Sequence, residues 1–184
     1  RVGLDKISVR SILVGGGTPT YLTPAQLKRF LEFFCRRLDL SRCQQFNYDV
    51  DPVTMSGPDG HERMRIMRDF GVDRLTIGVQ SLDEFILKVM NRPHGIREVY
   101  ESIENSRRYG FQTNIEFIFG HPGQNYDNWM DVMEKAVATG VEEIQLYRLK
   151  VDAYGDFQGP IKKFKKIKPS DVPTHEDSIA MKQL

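Results

Sequence analysis

Three consecutive glycines, Gly15, Gly16 and Gly17, follow an apolar run and precede a Thr-Pro pair. Glycine lets main-chain groups approach a ligand closely, and phosphate is the first ligand to consider for a glycine-rich loop. A P-loop would need Lys and then Ser or Thr after its last glycine, and a dinucleotide site would need G-x-G-x-x-G. This sequence matches neither pattern at the triplet. A tight turn between a strand and a helix is the alternative that the triplet alone leaves open.

Carboxylate and amide side chains recur on one face of the strands that follow this turn. Successive side chains of a strand point to opposite faces of its sheet. The polar or small set comprises Asn47, Asp49, Asp51, Thr76, Gly78, Gln80, Asn114, Glu116, Ile118, Gly120, Gln145 and Tyr147. The apolar set comprises Phe46, Tyr48, Val50, Leu75, Ile77, Val79, Ile115, Phe117, Phe119, Ile144 and Leu146. A polar face predicts that a ligand fills the space before it, since buried carboxylates without partners are unstable. A polar core satisfied by water or internal hydrogen bonds is the alternative.

The elements that position these residues form repeated strand–helix units. Gly71, Gly110 and Gly140 each follow an amphipathic stretch and precede a strand, as expected where glycine ends a helix. Strands are predicted near 8–14, 45–51, 73–79, 113–119 and 143–149. Helices are predicted near 59–69, 83–90, 96–109 and 126–138, and after a capping box at Thr23 and Gln26 with Pro24 in the first position.

These units predict an α/β fold with parallel strands and outer helices. Both faces of a doubly wound sheet are apolar, so the polar face favours a partial (β/α) TIM-like barrel. The predicted barrel occupies residues 1–150 as five βα units, and 151–184 forms a basic tail leading toward a missing C-terminal region. Within the tail, 161–168 carries five lysines. It is interpreted as a solvated edge or a short amphipathic helix, or as a patch that steers a substrate rich in carboxylates.

Composition excludes several classes of protein. The chain has 184 residues, 40% of them hydrophobic and 28% charged, with a formal net charge of +1. It should form a soluble domain with no general affinity for nucleic acid or an acidic membrane. The sequence has no apolar run long enough to span a membrane, so a cytoplasmic location is expected. Cys35 and Cys43 match neither a disulfide framework nor a metal cluster and are predicted to be reduced thiols.

Five segments taken together are more specific than any one of them. They are GGGTPTYL at 15–22, DVDP at 49–52, DRLTIGVQS at 73–81, MNRPH at 90–94 and NIEFIFGHPGQ at 114–124. In this order they resemble the radical S-adenosylmethionine enzymes of the oxygen-independent coproporphyrinogen III oxidase family, which includes haem chaperone and anaerobic haem-degrading branches. The resemblance covers about residues 15–150 and implies a radical S-adenosylmethionine barrel.

The resemblance also implies a role for each matched residue. Gly16, Gly17 and Thr18 would lie along the methionine part of S-adenosylmethionine, with main-chain carbonyl groups accepting from its ammonium group. Gln80 and Arg92 would hold the methionine end, where a guanidinium can bind a carboxylate through two parallel hydrogen bonds.

The remaining matches concern the nucleoside. Ile118 would lie beside the adenine, and Asp49 and Glu116 would bind the ribose hydroxyls. The family usually has Glu at the first carboxylate position and Asp at the second, so the ribose is expected to shift toward the second strand and still be held. His121 stands where leucine is commoner, and both it and His94 are expected to be ordinary loop side chains.

The largest departure from the family pattern concerns the cysteine ligands of the family's [4Fe–4S] cluster. The cluster is held by a C-x₃-C-x₂-C loop before the glycine turn, and this chain has no cysteine before residue 35. Cys35 and Cys43 have the wrong number, spacing and location to replace that loop. The expectation is that the first βα unit lies outside this sequence and that the fragment alone has no redox activity.

For the whole protein the resemblance implies a radical S-adenosylmethionine oxidoreductase. The reduced cluster cleaves S-adenosylmethionine, and the resulting 5′-deoxyadenosyl radical abstracts hydrogen from a porphyrinogen or haem-related tetrapyrrole. An electron-donor protein would be a further partner. Tyr147 and Gln145 could touch the substrate, although core packing is the favoured interpretation of Tyr147. A haem chaperone without oxidase activity and a phosphate-binding barrel enzyme are the alternatives.

Overall fold

The computed structural model of the chain describes residues 6–149 and 172–184. The basic segment at 161–168 and the predicted domain limit at residue 150 lie outside these residues, so both stay predictions. None of the helices within the described ranges is both long enough and apolar enough to cross a membrane.

Strands and helices alternate along the described chain. The strands are β1 (Ile7–Ser8), β2 (Ser11–Val14), β3 (Leu38–Asp39), β4 (Gln45–Val50), β5 (Arg74–Gln80), β6 (Gln112–Phe119) and β7 (Glu143–Arg148). The α-helices are α1 (Pro24–Cys35), α2 (Gly57–Asp69), α3 (Glu84–Val89), α4 (Ile96–Arg108), α5 (Tyr126–Ala138) and α6 (His175–Gln183). Short 3-10 helices cover Pro19–Tyr21 and Pro52–Met55.

The main sheet of the described residues has the strand order β2, β4, β5, β6, β7. β2 pairs with β4 and β4 with β5, both in parallel, and Leu13 lies opposite Asn47 in the first pair. Strands β1 and β3 form a separate parallel pair of two residues each. The prediction of one strand at 8–14 was therefore wrong at its start, because its first part pairs with β3 and only its second part enters the main sheet.

The predicted helix signals are confirmed. Thr23 accepts from the main-chain N–H of Gln26, and the Gln26 side chain accepts from that of Thr23. The three glycines predicted to end helices, Gly71, Gly110 and Gly140, have φ of 86°, 73° and 67°. In this left-handed region the N–H groups that follow a helix can cap its last carbonyl groups, and glycine adopts the conformation without a side-chain clash.

The described chain divides into two compact units. The first unit comprises Arg1–Val79, Arg97–Ile115 and Val141–Glu143. The second comprises Gln80–Ile96, Glu116–Gly140 and Ile144–Leu184.

The core of the first unit is built on the predicted apolar strand face. Tyr48, Leu75 and Ile77 are fully buried, and Phe46 packs against Phe34 of α1 with ring centroids 6.4 Å apart. Burial of this face removes apolar surface from water and stabilises the sheet. The predicted two-residue period is confirmed for polarity in β4 and β5, whereas burial extends to Asn47 and Thr76 on the opposite face.

The core of the second unit centres on Trp129 of α5. Its ring is fully buried, 5.3 Å from the ring of Phe119 and 6.4 Å from that of Phe117 between centroids. The indole Nε1 donates to the carbonyl oxygen of Met181 at 2.9 Å, which joins α5 to α6. Leu146 of β7 departs from the predicted alternation, because its side chain is exposed.

Candidate functional site

The glycine turn of the first unit follows β2 and contains glycines of two kinds. A β-carbon on Gly15 would lie 3.2 Å from Cγ of Asp49 and closer still to Oδ2, so the carboxylate occupies the place of a side chain. Gly16 and Gly17 instead have positive φ, 89° and 59°, with no atom within 4 Å of where a β-carbon would stand. Their main chain borders open space and is exposed. The turn therefore offers main-chain polar groups to a ligand.

Asp49 begins a row of hydrogen-bonded polar side chains across β4, β5 and β6 of the first unit. Asn47 Nδ2 donates to Asp49 Oδ1 at 3.3 Å, and Thr76 Oγ1 donates to Asn47 Oδ1 at 3.0 Å. Asn114 Nδ2 then donates to Thr76 Oγ1 at 3.3 Å. The polar face predicted from strand alternation is confirmed in this unit. The row fixes the carboxylate that lies beside the glycine turn.

The carboxylate of Asp49 is only partly satisfied by this row. Burial raises its pKa above the ordinary value, and the hydrogen bond from Asn47 opposes that rise. A carboxylate destabilised in this way gains from a ligand that donates to it, and a pair of hydroxyl groups is such a ligand.

The second unit contains the other predicted cofactor residues. Gln80, at the end of β5, is buried and has φ of 69°. A left-handed conformation in a residue other than glycine costs on the order of 1 kcal/mol and is concentrated at functional sites. Arg92 lies in the loop between α3 and α4 and is half-buried.

Glu116 of β6 is held by a residue of the next strand. The hydroxyl group of Tyr147 lies 3.2 Å from Glu116 Oε1 and 2.9 Å from Gln145 Oε1, so its single proton is shared between the two acceptors. Tyr147 is 49% exposed, and its interpretation as a core residue was wrong. The ring lies on the polar face of β7, which has no strand beyond it in the described sheet. Ile118, two residues after Glu116, is half-buried.

A tight turn after β6 contains a buried histidine. The main-chain N–H of Gln124 donates to the carbonyl oxygen of His121 at 3.0 Å. Gln124 Oε1 accepts from the N–H groups of Gly120 and His121 at 2.6 Å and 3.3 Å. His121 is 4% exposed, and neither ring nitrogen has a hydrogen-bond partner among the described residues.

The imidazole of His121 is neutral at pH 7. Burial lowers its pKa to about 4, and the positive charge of Arg92 contributes to the decrease. His121 does lie in a loop, as predicted, but it is buried, because Gln124 closes the turn around it. His94 is likewise a loop residue, and it is 3% exposed.

The eight predicted cofactor residues divide equally between the two units. The first unit holds Gly16, Gly17, Thr18 and Asp49, and the second holds Gln80, Arg92, Glu116 and Ile118. Within the first unit the structure brings the glycine turn against Asp49. Within the second it places the Arg92 charge close enough to His121 to shift its pKa. Sequence reasoning missed Gln124 as a member of this group, although it falls within the matched segment 114–124.

An iron–sulfur cluster does not fit the described residues. Cys35 and Cys43 are free thiols. Across residues 6–149 and 172–184, no group of three or more His, Cys, Asp or Glu side chains is arranged to hold a metal ion.

Comparison with known proteins places these features in a family. The family model described as Radical SAM superfamily matches residues 2–136. A haem chaperone, HemW, of Lactococcus lactis is 32% identical over 142 residues, which is 77% of this chain and 36% of that protein. The oxygen-independent coproporphyrinogen III oxidase of Escherichia coli is 26% identical over 170 residues, 92% of this chain and 35% of that protein. The chain thus spans little more than a third of either relative.

A solved structure shows the same fold. Coproporphyrinogen III oxidase (HemN) from Escherichia coli, described as a Radical SAM enzyme, superposes with a TM-score of 0.81 at 22% identity. The match covers 96% of this chain and 39% of that chain. The predicted α/β class, a partial TIM-like barrel of parallel strands, is therefore confirmed.

Proposed function

Because this chain belongs to the Radical SAM superfamily, we propose that it binds S-adenosylmethionine. We propose further that the whole protein is an oxidoreductase acting on a porphyrinogen or haem-related tetrapyrrole. The observation that carries the proposal is the glycine turn, where Gly16 and Gly17 present exposed main chain to open space beside the carboxylate of Asp49.

The first unit would bind the methionine and ribose parts of the cofactor. Main-chain carbonyl groups of Gly16, Gly17 and Thr18 accept from the ammonium group, as glycine permits so close an approach. Asp49 accepts from a ribose hydroxyl, which satisfies the carboxylate oxygens that the hydrogen bond from Asn47 leaves without a donor.

The second unit would supply the remaining contacts. Arg92 binds the carboxylate of the methionine part, and Gln80 is held beside it in its left-handed conformation. Glu116 accepts from the ribose, with its carboxylate fixed by the hydroxyl group of Tyr147. Ile118 packs against the adenine. These residues orient the ligand and exclude water from it.

When bound, S-adenosylmethionine supplies hydrogen-abstraction chemistry to enzymes of this superfamily. The described residues do not hold the iron–sulfur cluster that such chemistry requires. We therefore propose the activity for the whole protein and cofactor binding for this chain.

The binding proposal is tested by calorimetric titration of the chain with S-adenosylmethionine. Arg92→Leu should weaken binding by roughly 10- to 100-fold, because hydrogen bonds to a charged group contribute about 1.5 to 3 kcal/mol. Arg107→Leu is the matched control, since Arg107 is exposed and pairs with Glu104 at 3.2 Å on the outer surface of α4. It should change the affinity by less than about 3-fold.

Two results would contradict the binding proposal. If Arg92→Leu and Arg107→Leu changed the affinity for S-adenosylmethionine equally, Arg92 would not be part of the binding site. If S-adenosylmethionine did not saturate the chain at millimolar concentration and inorganic phosphate did, a phosphate-binding barrel enzyme would be favoured instead.

A haem chaperone is the second candidate function, and the similarity to the Lactococcus lactis haem chaperone favours it. The whole protein can be incubated anaerobically with S-adenosylmethionine, a reductant and either coproporphyrinogen or haem. Loss of carboxyl groups from the porphyrinogen, measured by mass spectrometry, supports the oxidoreductase. Stoichiometric retention of unaltered haem without such a product supports the chaperone.

A further inference from the structure

Three buried nitrogen atoms of one turn have no hydrogen-bond partner among the described residues. They are Nδ1 and Nε2 of His121 and Nε2 of Gln124, all in the second unit. Both residues are more than nine-tenths buried, with exposures of 4% and 5%. Leaving a buried polar group unpaired costs about 1 to 3 kcal/mol, so a native structure pairs nearly all of them. A turn with three such atoms indicates that a ligand group completes it.

The direction of the Gln124 amide is fixed by the protein itself. Its Oε1 accepts from the main-chain N–H groups of Gly120 and His121. Reversing the amide would place its NH₂ group against two donors, so Nε2 must be the unpaired end. Gln124 therefore offers two N–H donors to whatever lies beside the turn.

The charge around the turn favours an anionic ligand. The guanidinium of Arg92, whose positive charge reaches His121, carries donors only, and the neutral imidazole carries one N–H donor. A site in which donors and positive charge predominate suits an anion with several acceptor oxygens. A planar carboxylate meets this requirement, since its two oxygens can accept from a guanidinium and from neighbouring N–H groups together.

We propose that His121 and Gln124, with Arg92, form a carboxylate subsite in which an imidazole N–H group and the amide NH₂ group donate beside the guanidinium. The inference rests on the proposed function and adds to it two residues that contact the ligand and a specificity for the acid group. The carboxylate has two sources: the methionine end of S-adenosylmethionine or a propionate of the tetrapyrrole. A leucine at position 121 would fill the turn without offering a donor.

The test compares each carboxylate ligand with a partner that lacks the free acid. S-adenosylmethionine is paired with decarboxylated S-adenosylmethionine, and coproporphyrin with its tetramethyl ester. The ratio of affinities within a pair measures recognition of the carboxylate alone. It is measured for the wild type, His121→Leu and Gln124→Glu, with His61→Leu as the control. His61 lies on α2 in the first unit, 3.4 Å from the hydroxyl group of Tyr109.

His121→Leu should reduce the ratio in one pair by roughly 3- to 10-fold, the effect of losing a single hydrogen bond. Gln124→Glu keeps the Oε1 acceptor that closes the turn but replaces the NH₂ donor by a negative charge, so it should reduce the same ratio by more. His61→Leu should leave both ratios unchanged. The affected pair identifies the source of the carboxylate.

The unfolding temperature of the ligand-free protein supplies a second readout that does not depend on ligand binding or activity. His121→Leu removes buried unpaired nitrogen atoms, so the ligand-free variant should unfold at a higher temperature than the wild type. Unchanged ratios in both pairs for both turn variants would overturn the subsite and leave the turn as a site of ordered water. If the wild type bound no S-adenosylmethionine, the proposed function would fail while the porphyrin pair still tested the subsite.

Discussion

Replacing Gly60 with alanine is expected to lower the free energy of unfolding by about 3 kcal/mol or more. Gly60 is buried in the first turn of α2, and a β-carbon there would lie 3.0 Å from Cα of Met55 and closer still to its carbonyl group. The opposing atoms are main chain, so no side-chain rotation relieves the overlap. For a chain of this size, a change of 3 kcal/mol corresponds to a decrease of roughly 6 to 12 °C in Tm.

The segment that faces Gly60 cannot easily move away. Arg63 Nη1 donates to the carbonyl oxygen of Thr54 at 3.0 Å, and Asn105 Nδ2 donates to that of Met55 at 3.4 Å. Asp59→Ala, on the exposed side of the same helical turn, is the matched control. It should change stability by less than about 1 kcal/mol. A Gly60→Ala variant that melts within about 2 °C of the control would show that α2 does not pack on residues 52–55.

Acidification is expected to destabilise the wild type more than His121→Leu. The pKa of His121 is about 4 in the folded protein and 6.5 in its ordinary state. Between these values the unfolded chain binds a proton that the folded chain excludes, so stability falls as pH falls through this window. The difference between the two pKa values corresponds to about 3 kcal/mol. Most of it should be lost by pH 4.5.

Chemical denaturation of both proteins at pH 7 and pH 4.5 isolates this contribution, because every other titrating group is shared. The wild type should lose roughly 2 to 3 kcal/mol more than the variant over this interval. Equal losses would show that His121 is protonated as easily in the folded protein as in the unfolded chain. The description of His121 as a buried, neutral imidazole would then be wrong.

Local chemistry made much of the fold predictable from the sequence. The capping box at Thr23 and the left-handed glycines that end helices depend on a few neighbouring residues, and both are confirmed. Alternation in β4 and β5 follows from the strand period, and burial of Tyr48 and Leu75 confirms it. The β1–β3 pair was missed, because two-residue strands carry no periodic signal.

The features of the site that were missed arise from tertiary contacts. The sequence does not indicate that the absence of a side chain at Gly15 makes room for the carboxylate of Asp49, which lies 34 residues later. Gln80 has a left-handed conformation that its residue type disfavours. His121 is buried because the Gln124 side chain turns back onto the main chain.

Binding of S-adenosylmethionine to this chain can be mapped residue by residue from amide chemical shifts while the chain is titrated with the stable analogue S-adenosylhomocysteine. We expect saturable shifts centred on Gly16, Gly17, Thr18, Asp49, Gln80, Arg92, Glu116 and Ile118. Shifts confined to another surface, such as the cleft lined by Arg10, Ser41 and Gln44, or no shifts at millimolar analogue, would contradict it.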